Sequence, residues 1–378
     1  MKKSYLATPG PSPVPQEVRL ALAQEIIHHR TKEFQNYLAQ AAADLKKIFR
    51  TEADVFIMAA SGTGAMEASV ANVIGPGDKA ITIEGGKFGE RWTELVKAYG
   101  GTPIVLKVEW GEGPAADDVA EMLAANPDTK AVYATLCETS TASVQDIQAL
   151  GKVVAPTAAL LVVDGISGVG AVECHTDEWG VDMLVVGSQK ALMLPPGLAF
   201  ISVSKKAWAV IEKTKRTAYY FDLIKARKAA EKNDTPYTSA VSMIRALCAA
   251  TKMILDEGMD AVMARHKLLA RAARAAVEAM GLKLLSKVPS DAVTAIVLPE
   301  GIDGKALAKI LADKYGVTVA GGQGPLTGKI IRIATMGYMD QFDVITAIAA
   351  IEMALSEMGH KVALGSGVAA AQKVLING

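Results

Sequence analysis

The chain has little of the features that mark several classes of protein. Its 378 residues include three cysteines, Cys137, Cys174 and Cys248, which are too few and too scattered for a disulfide framework or a zinc knuckle. Its 40 basic and 40 acidic side chains cancel, which argues against a nucleic-acid footprint or a polybasic membrane anchor. It has neither an apolar run of about 18 to 20 residues, which a membrane span needs, nor the apolar middle of a signal peptide. We therefore expect a cytoplasmic protein that binds no metal, no nucleic acid and no membrane.

The prolines and the length of the chain suggest how it divides. Four prolines fall within the stretch PGPSPVP, so residues 1–15 are expected to form an extended N-terminal segment, followed by a helix over residues 16–27. A chain of 378 residues is long enough for two domains. The texture of the sequence changes after a long helical stretch at residues 241–280. We therefore predict a large domain over residues 16–280 and a smaller α+β domain over residues 281–378.

Short apolar runs alternate with helical stretches through the first half of the large domain. Seven runs are predicted as strands, at residues 54–60, 79–83, 103–108, 131–135, 158–163, 183–186 and 199–203. This alternation is typical of an α/β domain with a mainly parallel sheet, here of seven strands. Ligands bind such sheets at the carboxyl ends of the strands. The side chains at or just beyond these ends include Thr63, Phe88, Thr139, Asp164 and Lys190.

A glycine-rich turn, SGTGAME at residues 61–67, follows the first of these strands and opens a helix. Free backbone N–H groups and the positive end of the helix dipole make such a turn a natural phosphate site. No Gly-Lys-Ser/Thr follows, so the turn is not a Walker loop, and the third glycine of the dinucleotide fingerprint is missing. On this turn alone, phosphate binding and a plain tight strand–helix turn are equally supported.

Lys190 lies in the stretch MLVVGSQKALMLPPG, residues 183–197, directly after a strand of buried type. The commoner arrangement is a lysine whose head reaches water, and a structural ion pair with Asp164 is a second possibility. A third interpretation places both residues on a pyridine aldehyde. The lysine would form a Schiff base, and the aspartate would keep the ring nitrogen protonated so that the ring withdraws electrons.

Three further features fit this third interpretation. The turn at Thr63, Gly64 and Ala65 would supply the phosphate site that such a cofactor needs. Phe88 is available to stack on the ring, and the Thr139 hydroxyl is placed to bond the ring oxygen. Together with Lys190 and Asp164, these features favour a site for a phosphorylated carbonyl cofactor.

Several short motifs carry a resemblance to a known family. They are TPGPSPVP (8–15), HRTKEF (29–34), SGTGAME (61–67), ETST (138–141), VVDGISGVG (162–170), GSQKALMLPPG (187–197), TPYT (235–238) and IIRIATMG (330–337). Over nearly its full length the chain resembles the class V aminotransferases of the pyridoxal-phosphate (PLP) fold type I superfamily, and among them the alanine–glyoxylate / serine–pyruvate branch. The lysine motif with its Pro-Pro-Gly is quite specific to this branch, whereas the glycine turn alone is not.

The resemblance implies a role for each matched residue. The residues implied to hold PLP are Thr63, Gly64, Ala65, Phe88, Thr139, Asp164, Gln189 and the Schiff-base lysine Lys190, with Thr238 reaching in from the neighbouring subunit. The residues implied to bind substrate are Arg332, Gly10, His29 and Arg30. A guanidinium suits a carboxylate better than an ammonium does, because it can form two parallel hydrogen bonds. Because Thr238 would come from the neighbouring subunit, the resemblance also implies a homodimer with shared active sites.

The activity implied is a ping-pong transamination in which Lys190 is both Schiff-base lysine and proton shuttle. It would move the amino group of a small amino acid (alanine, serine or aspartate) to a 2-oxo acid such as glyoxylate or pyruvate. Alternatives on the same fold are transamination of an aminophosphonate and cleavage of a β-hydroxy amino acid. A cysteine desulfurase is disfavoured because no cysteine follows Cys248. A non-catalytic PLP-binding protein is disfavoured because lysine, aspartate and arginine are all present.

Overall fold

The chain folds around two β-sheets of unequal size. The computed structural model describes residues 3–215 and 217–378. The strands are β1 (Tyr5–Leu6), β2 (Asp54–Ala59), β3 (Lys79–Glu84), β4 (Thr102–Lys107), β5 (Ala131–Thr135), β6 (Cys137–Glu138), β7 (Ser143–Val144), β8 (Leu160–Asp164), β9 (Met183–Gly187), β10 (Leu198–Val203), β11 (Lys283–Leu284), β12 (Val293–Val297), β13 (Val317–Thr318), β14 (Ala320–Gly321) and β15 (Ile330–Ala334).

The larger sheet has seven strands in the order β2-β10-β9-β8-β5-β3-β4. All neighbouring pairs from β9 to β4 are parallel, and β10 runs antiparallel to both of its neighbours. The predicted α/β fold with a mainly parallel seven-stranded sheet is therefore confirmed. In this sheet Asp164 lies between Thr135 of β5 and Val185 of β9, so three strands present their carboxyl ends to the same edge.

Helices cover both faces of this sheet. The helices are α1 (Gln16–Leu22), α2 (Lys32–Phe49), α3 (Gly62–Val73), α4 (Lys87–Ala98), α5 (Ala116–Ala125), α6 (Ile147–Val154), α7 (Lys205–Ile211), α8 (Leu223–Ala230), α9 (Val241–Glu257), α10 (Met259–Ala279), α11 (Gly304–Ile310), α12 (Gln341–Glu357) and α13 (Ser366–Asn377). Alternate residues of one strand meet different helices: Leu161 packs in a cluster with α2 and α9, and Val162 in a cluster with α3 and α4. This explains why the central strands read as continuous apolar runs.

Two helices expected from the sequence have different boundaries. The helix expected over residues 16–27 ends at Leu22. Beyond it, the carbonyl of Glu25 accepts a hydrogen bond of 2.8 Å from Arg245 Nη1, which replaces a bond within the helix. The stretch at residues 241–280 is not one helix but two, because Gly258 interrupts it with φ of 87°, a conformation that glycine adopts readily.

The smaller sheet is antiparallel, in the order β11-β12-β15-β14. Its core cluster also includes side chains of α12, α13 and the second half of α10, from Leu269 onward. On packing grounds we propose that the smaller unit begins with α10, before residue 281. The N-terminal strand β1 joins this unit, since it pairs in parallel with β13. Among the described residues, no helix combines the length and the apolar character that crossing a membrane requires.

Gly151, in the middle of α6, offers a test of how closely this helix packs on its neighbours. A Cβ atom there would lie 1.8 Å from the carbonyl oxygen of Trp179. Alanine normally stabilises a helix interior by about 1 kcal/mol relative to glycine. Here we expect Gly151→Ala to lower the free energy of unfolding by at least about 1–3 kcal/mol, because the backbone must shift. Urea denaturation measures this, with Gly321→Ala as control, since its Cβ would meet nothing within 4 Å. An equal midpoint for the two variants would contradict the packing argument.

Candidate active site

One cavity at the carboxyl edge of the larger sheet brings together most of the predicted cofactor residues. It has a volume of about 100 Å³. The predicted residues that line it are Thr63, Phe88, Thr139, Asp164, Gln189 and Lys190. They come from positions far apart in the chain, and the ends of β5, β8 and β9 bring them to one place.

Lys190 lies in a short loop that the sequence closes on itself. Ser188, the first residue after β9, bonds the carbonyl of Pro195 through its hydroxyl at 2.7 Å, and its amide bonds the carbonyl of Leu198 at 3.0 Å. The loop therefore returns directly into β10 with little freedom. The side chain of Lys190 is buried at 9% exposure and points into the cavity that it lines.

The N-terminal segment passes directly over this lysine. Lys190 Nζ donates a hydrogen bond to the carbonyl of Pro9, and the Ser12 hydroxyl donates to the carbonyl of Lys190 at 2.7 Å. A Cβ atom on Gly10 would lie 2.4 Å from Lys190 Nζ, and the φ of Gly10 is 116°. Only glycine fits this approach without displacing the lysine. Gly10, which we predicted to lie near the substrate, thus contacts the lysine itself.

Asp164 is buried at 3% exposure, and one of its oxygens accepts a 2.8 Å hydrogen bond from the backbone N–H of Ile166. Burial raises the pKa of Asp164 to about 7, while the charges of Arg91 and Lys190 act in the opposite direction. Burial likewise lowers the pKa of Lys190 to about 8, against the opposing charge of Asp164. The pKa values of both groups therefore lie close to neutral pH. A cation at Asp164, such as a protonated pyridine ring, would favour its ionised form.

The residues of the glycine-rich turn that line the cavity begin two positions earlier in the chain than predicted. The residues that line the cavity are Ser61, Gly62 and Thr63, at the start of α3. Gly64 and Ala65 are buried in the helix and do not line it. The N–H of Gly64 donates to the Ser61 carbonyl at 2.8 Å, and a Cβ there would lie 2.8 Å from the Cβ of Ala60. Gly64 therefore permits close packing of the turn, and the free helix end is presented by the residues before it.

Gln189 places a side-chain amide at the wall of the cavity. Its side-chain Oε1 is buried and has no hydrogen-bond partner among the described residues. The two ends of an amide exchange by rotation about one bond, so the same group can offer N–H donors to an anion. Together with the start of α3, this arrangement suits a phosphate group.

Phe88 is held in place by Glu138, a residue to which the sequence assigned no role. The buried carboxylate of Glu138 accepts hydrogen bonds from the backbone N–H groups of Phe88 and Gly89, at 3.0 and 2.9 Å. These are N–H groups of the first turn of α4, which otherwise have no partner within the helix. The Thr139 hydroxyl in turn lies 2.6 Å from that of Ser167. Phe88, which we predicted to stack on the ring, is thus positioned by the Glu138 carboxylate, and the Thr139 hydroxyl, which we predicted to bond the ring oxygen, is positioned by Ser167.

Arg332, in the middle of β15, links the smaller sheet to this cavity. Its Nη1 donates to the carbonyl of Thr139 at 2.7 Å, and Nε and Nη2 donate to the carbonyl of Gly321 at 3.0 and 2.7 Å. The side chain is buried at 6% exposure, and burial lowers its pKa from the usual value. A guanidinium has five N–H donors, so two remain for a ligand. Arg332 is therefore not an ordinary exposed strand arginine.

Besides Gly10, Gly64, Ala65 and Arg332, which lie next to the cavity without lining it, three predicted residues lie elsewhere on the chain: His29, Arg30 and Thr238. Arg30 pairs with Asp234 and donates to the carbonyl of Thr235 at 2.8 Å, and His29 is its neighbour. Thr238 lines a different cavity, beside β2. Because Arg30 is bonded to the segment that contains Thr238, these three residues form one connected surface region.

The sequence also missed Arg91, which lines the cavity beside Thr63 and Lys190. The stretch KFGERW contains a signal that could have identified it. Arg91 follows Phe88 by three residues, which places both side chains on the same face of α4. Glu138 and Ser167 had no such signal, since their partners are distant in sequence.

The lowered pKa of Lys190 predicts the pH dependence of its reaction with aldehydes. Only the neutral amine reacts, so the rate at which the apoprotein binds PLP should rise about tenfold per pH unit and level off near pH 8. An ordinary lysine, with a pKa of about 10.4, would keep gaining rate to above pH 10. Stopped-flow visible absorbance measures this rate, with Lys190→Ala as the blank.

Asp164→Asn provides a matched variant for this measurement. The charge of Asp164 raises the pKa of Lys190, so its removal should move the plateau to lower pH. A wild-type rate that still rises above pH 10, or a plateau that moves to higher pH in the variant, would contradict the assignment.

Comparisons with known proteins agree with this geometry. The family description "Aminotransferase class-V" matches residues 4–345. An uncharacterized aminotransferase of Methanocaldococcus jannaschii is 43% identical, over 99% of this chain and 98% of its own. L-aspartate–glyoxylate aminotransferase of Paracoccus denitrificans is 38% identical, over 97% and 94%. The crystal structure of ureidoglycine–glyoxylate aminotransferase from Bacillus subtilis superposes with a TM-score of 0.95 at 29% identity, over 100% of this chain and 99% of that one. The chain therefore belongs to the class V aminotransferases, in the alanine–glyoxylate / serine–pyruvate branch, and is a PLP-dependent aminotransferase of fold type I.

Proposed function

We propose that the protein catalyses a ping-pong transamination between a small amino acid (alanine, serine or aspartate) and a 2-oxo acid such as glyoxylate or pyruvate. The observation that carries this proposal is that Lys190 and Asp164 line one cavity, while Arg332, outside its lining, is bonded to the carbonyl of Thr139 in the cavity wall. This set supplies an amine, a carboxylate and a carboxylate receptor together. The glyoxylate-dependent relatives support the same class of acceptor.

The residues present fit PLP. Asp164 would lie at the ring nitrogen, Phe88 on the ring face and Thr139 at the ring oxygen. Gln189 and Thr63 would hold the phosphate, which suits the unpartnered Oε1 of the glutamine and the free start of α3. When bound, PLP supplies an electron sink that acidifies the α-carbon of an amino acid.

Arg332 would orient the substrate. Its guanidinium is already fixed by three hydrogen bonds to backbone carbonyls, so little rotational freedom is lost when a carboxylate binds the remaining N–H groups. A substrate held in this way presents its α-carbon to Lys190 in one orientation. This favours small amino acids over amines that have no carboxylate.

Lys190 would remove the α-proton at its Nζ. A base of this kind must be neutral at the working pH, and burial lowers the pKa of Lys190 to about 8. The Pro9 carbonyl, which accepts a hydrogen bond from Nζ, can hold the amine after it leaves the cofactor and before it acts. The N-terminal segment would therefore position the base.

We further propose a homodimer with shared active sites. His29, Arg30 and Thr238 do not reach the cavity of their own chain, yet they form one connected surface region through the pairing of Arg30 with Asp234. A region joined in this way can enter the site of a second copy as a unit. Thr238 would then complete the phosphate site of the partner.

Transamination is tested by titrating the holoenzyme with alanine, serine or aspartate in turn. Each productive donor should abolish the visible band of the lysine-bound cofactor and release its own 2-oxo acid in equal amount, and glyoxylate or pyruvate should restore the band. Lys190→Ala should show neither change. Binding of PLP without amino transfer from any donor would instead support a non-catalytic PLP-binding protein.

The role of Arg332 predicts a carboxylate-specific defect. Arg332→Lys should reduce kcat/KM for alanine by about 10- to 100-fold, because a bidentate charged hydrogen bond is lost. The single-turnover rate with ethylamine, which has no carboxylate, should change little. Arg271→Lys, an exposed arginine on α10, is the control. Equal losses for alanine and ethylamine would show that Arg332 has only a structural role.

A further inference from the structure

Arg91 is a cation in the cavity to which neither the sequence motifs nor the proposed reaction assigns a role. It lies in the first turns of α4, and its Nη1 donates to the Thr63 hydroxyl at 3.1 Å. Its guanidinium carbon is 4.9 Å from the centre of the Phe88 ring. Arg91 therefore contacts the turn proposed to hold phosphate and the ring proposed to stack on the cofactor.

Among the described residues, no carboxylate forms an ion pair with Arg91, although eight lysines form such pairs. Within the cavity, Arg91 and Lys190 are the two cations that line the wall. The Asp164 carboxyl lines the same cavity, and burial raises its pKa while the charge of Arg91 lowers it, but the two groups form no direct ion pair. A partly buried guanidinium without a direct counter-charge is costly, and an anionic ligand is the natural complement.

The other proposed phosphate ligands are all neutral. They are the start of α3 with the Thr63 hydroxyl, the Gln189 amide and the Thr238 hydroxyl of a second copy. A phosphate monoester carries a charge of about −1.5 to −2 at pH 7. Helix ends and amides offset part of this charge, but in an enclosed site the remainder needs a cation. Lys190 is committed to the carbonyl group of the cofactor, which leaves Arg91.

We propose that Arg91 binds the phosphate group of PLP and is the cation that neutralises it. This inference rests on the proposed PLP site and adds a residue to it. Its hydrogen bond to Thr63 fixes the hydroxyl and the guanidinium side by side, so that both can donate to the same anion. Its position over Phe88 ties the phosphate end of the site to the stacking ring through one side chain.

A pair of ligands separates this role from a structural one. PLP and pyridoxal share the ring and the aldehyde, and only PLP has the phosphate. Arg91→Met should weaken binding of PLP to the apoprotein by about 10- to 100-fold, as expected for loss of a charged hydrogen bond. Binding of pyridoxal should change by less than about threefold. Dissociation constants are read from visible absorbance, and their ratio cancels any fraction of unfolded protein.

Inorganic phosphate gives a second readout that does not depend on activity. It should compete with PLP for the wild-type apoprotein and compete at least about tenfold less well for Arg91→Met. Arg91→Lys should fall between the two, because it keeps the charge and loses the fork. Lys97→Met, an exposed lysine on the same helix, should match wild type in both assays.

The outcomes separate this inference from the proposed function. An equal loss of PLP and pyridoxal binding in Arg91→Met would assign Arg91 to the ring or to folding, and no loss of either would remove it from the site. Both results overturn the inference. If Arg91→Met does not fold, the same ratio for Arg91→Lys decides, and a ratio equal to wild type overturns it. If wild-type protein fails to bind PLP at all, the proposed function itself is wrong.

Discussion

The burial of the Lys190 amine is the constraint on which the rest of the structure depends. Among the described residues its Nζ forms no ion pair, and its recorded hydrogen bond goes to a neutral carbonyl, that of Pro9. A neutral acceptor cannot offset a full positive charge in a desolvated place, which is why the pKa falls to about 8. The fold thereby holds a reactive neutral amine close to physiological pH. It does so by placing backbone next to the amine and keeping the Asp164 carboxylate at a distance beyond direct pairing.

This constraint extends to the smaller sheet. The chain before Pro9 is bonded into that sheet, since the N–H of Ala7 donates to Thr318 and the carbonyl of Ala7 accepts from Ala334. Arg332 belongs to the same sheet and reaches Thr139 in the larger unit. The segment around Pro9 and the side chain of Arg332 therefore both connect the smaller unit to the cavity. If Arg332 binds the substrate carboxylate as proposed, carboxylate binding and the environment of the lysine amine depend on the same unit.

The sequence predicted the parts of the site that end strands. Lys190, Asp164 and Thr139 follow apolar runs, and parallel strands bring their carboxyl ends to one edge, so periodicity alone was enough to group them. Arg332 was found through the resemblance, and the apolar residues on either side of it in β15 agree with its buried, hydrogen-bonded position. The seven-stranded sheet was predicted for the same reason: each central strand is buried on both faces and reads as a continuous apolar run.

The structural features that could not be predicted from the sequence depend on contacts between residues far apart in the chain. Glu138 binds N–H groups near residue 88, some 50 positions away, and no local pattern announces that partnership. Just beyond the end of the first helix at Leu22, the carbonyl of Glu25 accepts a hydrogen bond from Arg245, 220 positions away in the chain. The break at Gly258 was visible as a glycine, but glycine inside a helical pattern is tolerated often enough that its φ decides the matter. The position of Gly64, buried in α3 and not lining the cavity, could not be predicted, because a packing glycine and a ligand-facing glycine look alike in sequence.

Three charged groups around the cavity share one property: burial makes their ionised forms less stable. Burial raises the pKa of Asp164 and lowers those of Lys190 and Arg332, so the ionised forms of these three groups are less stable than they would be in water. PLP and an amino acid would carry complementary charges: a protonated ring for Asp164, an anionic phosphate for the cation beside Thr63, and a carboxylate for Arg332. Binding of both would therefore lower the free-energy cost of keeping charges desolvated. Charged groups that do not pair with one another favour a ligand with the complementary pattern of charges. The same groups can then act on the ligand once it is bound.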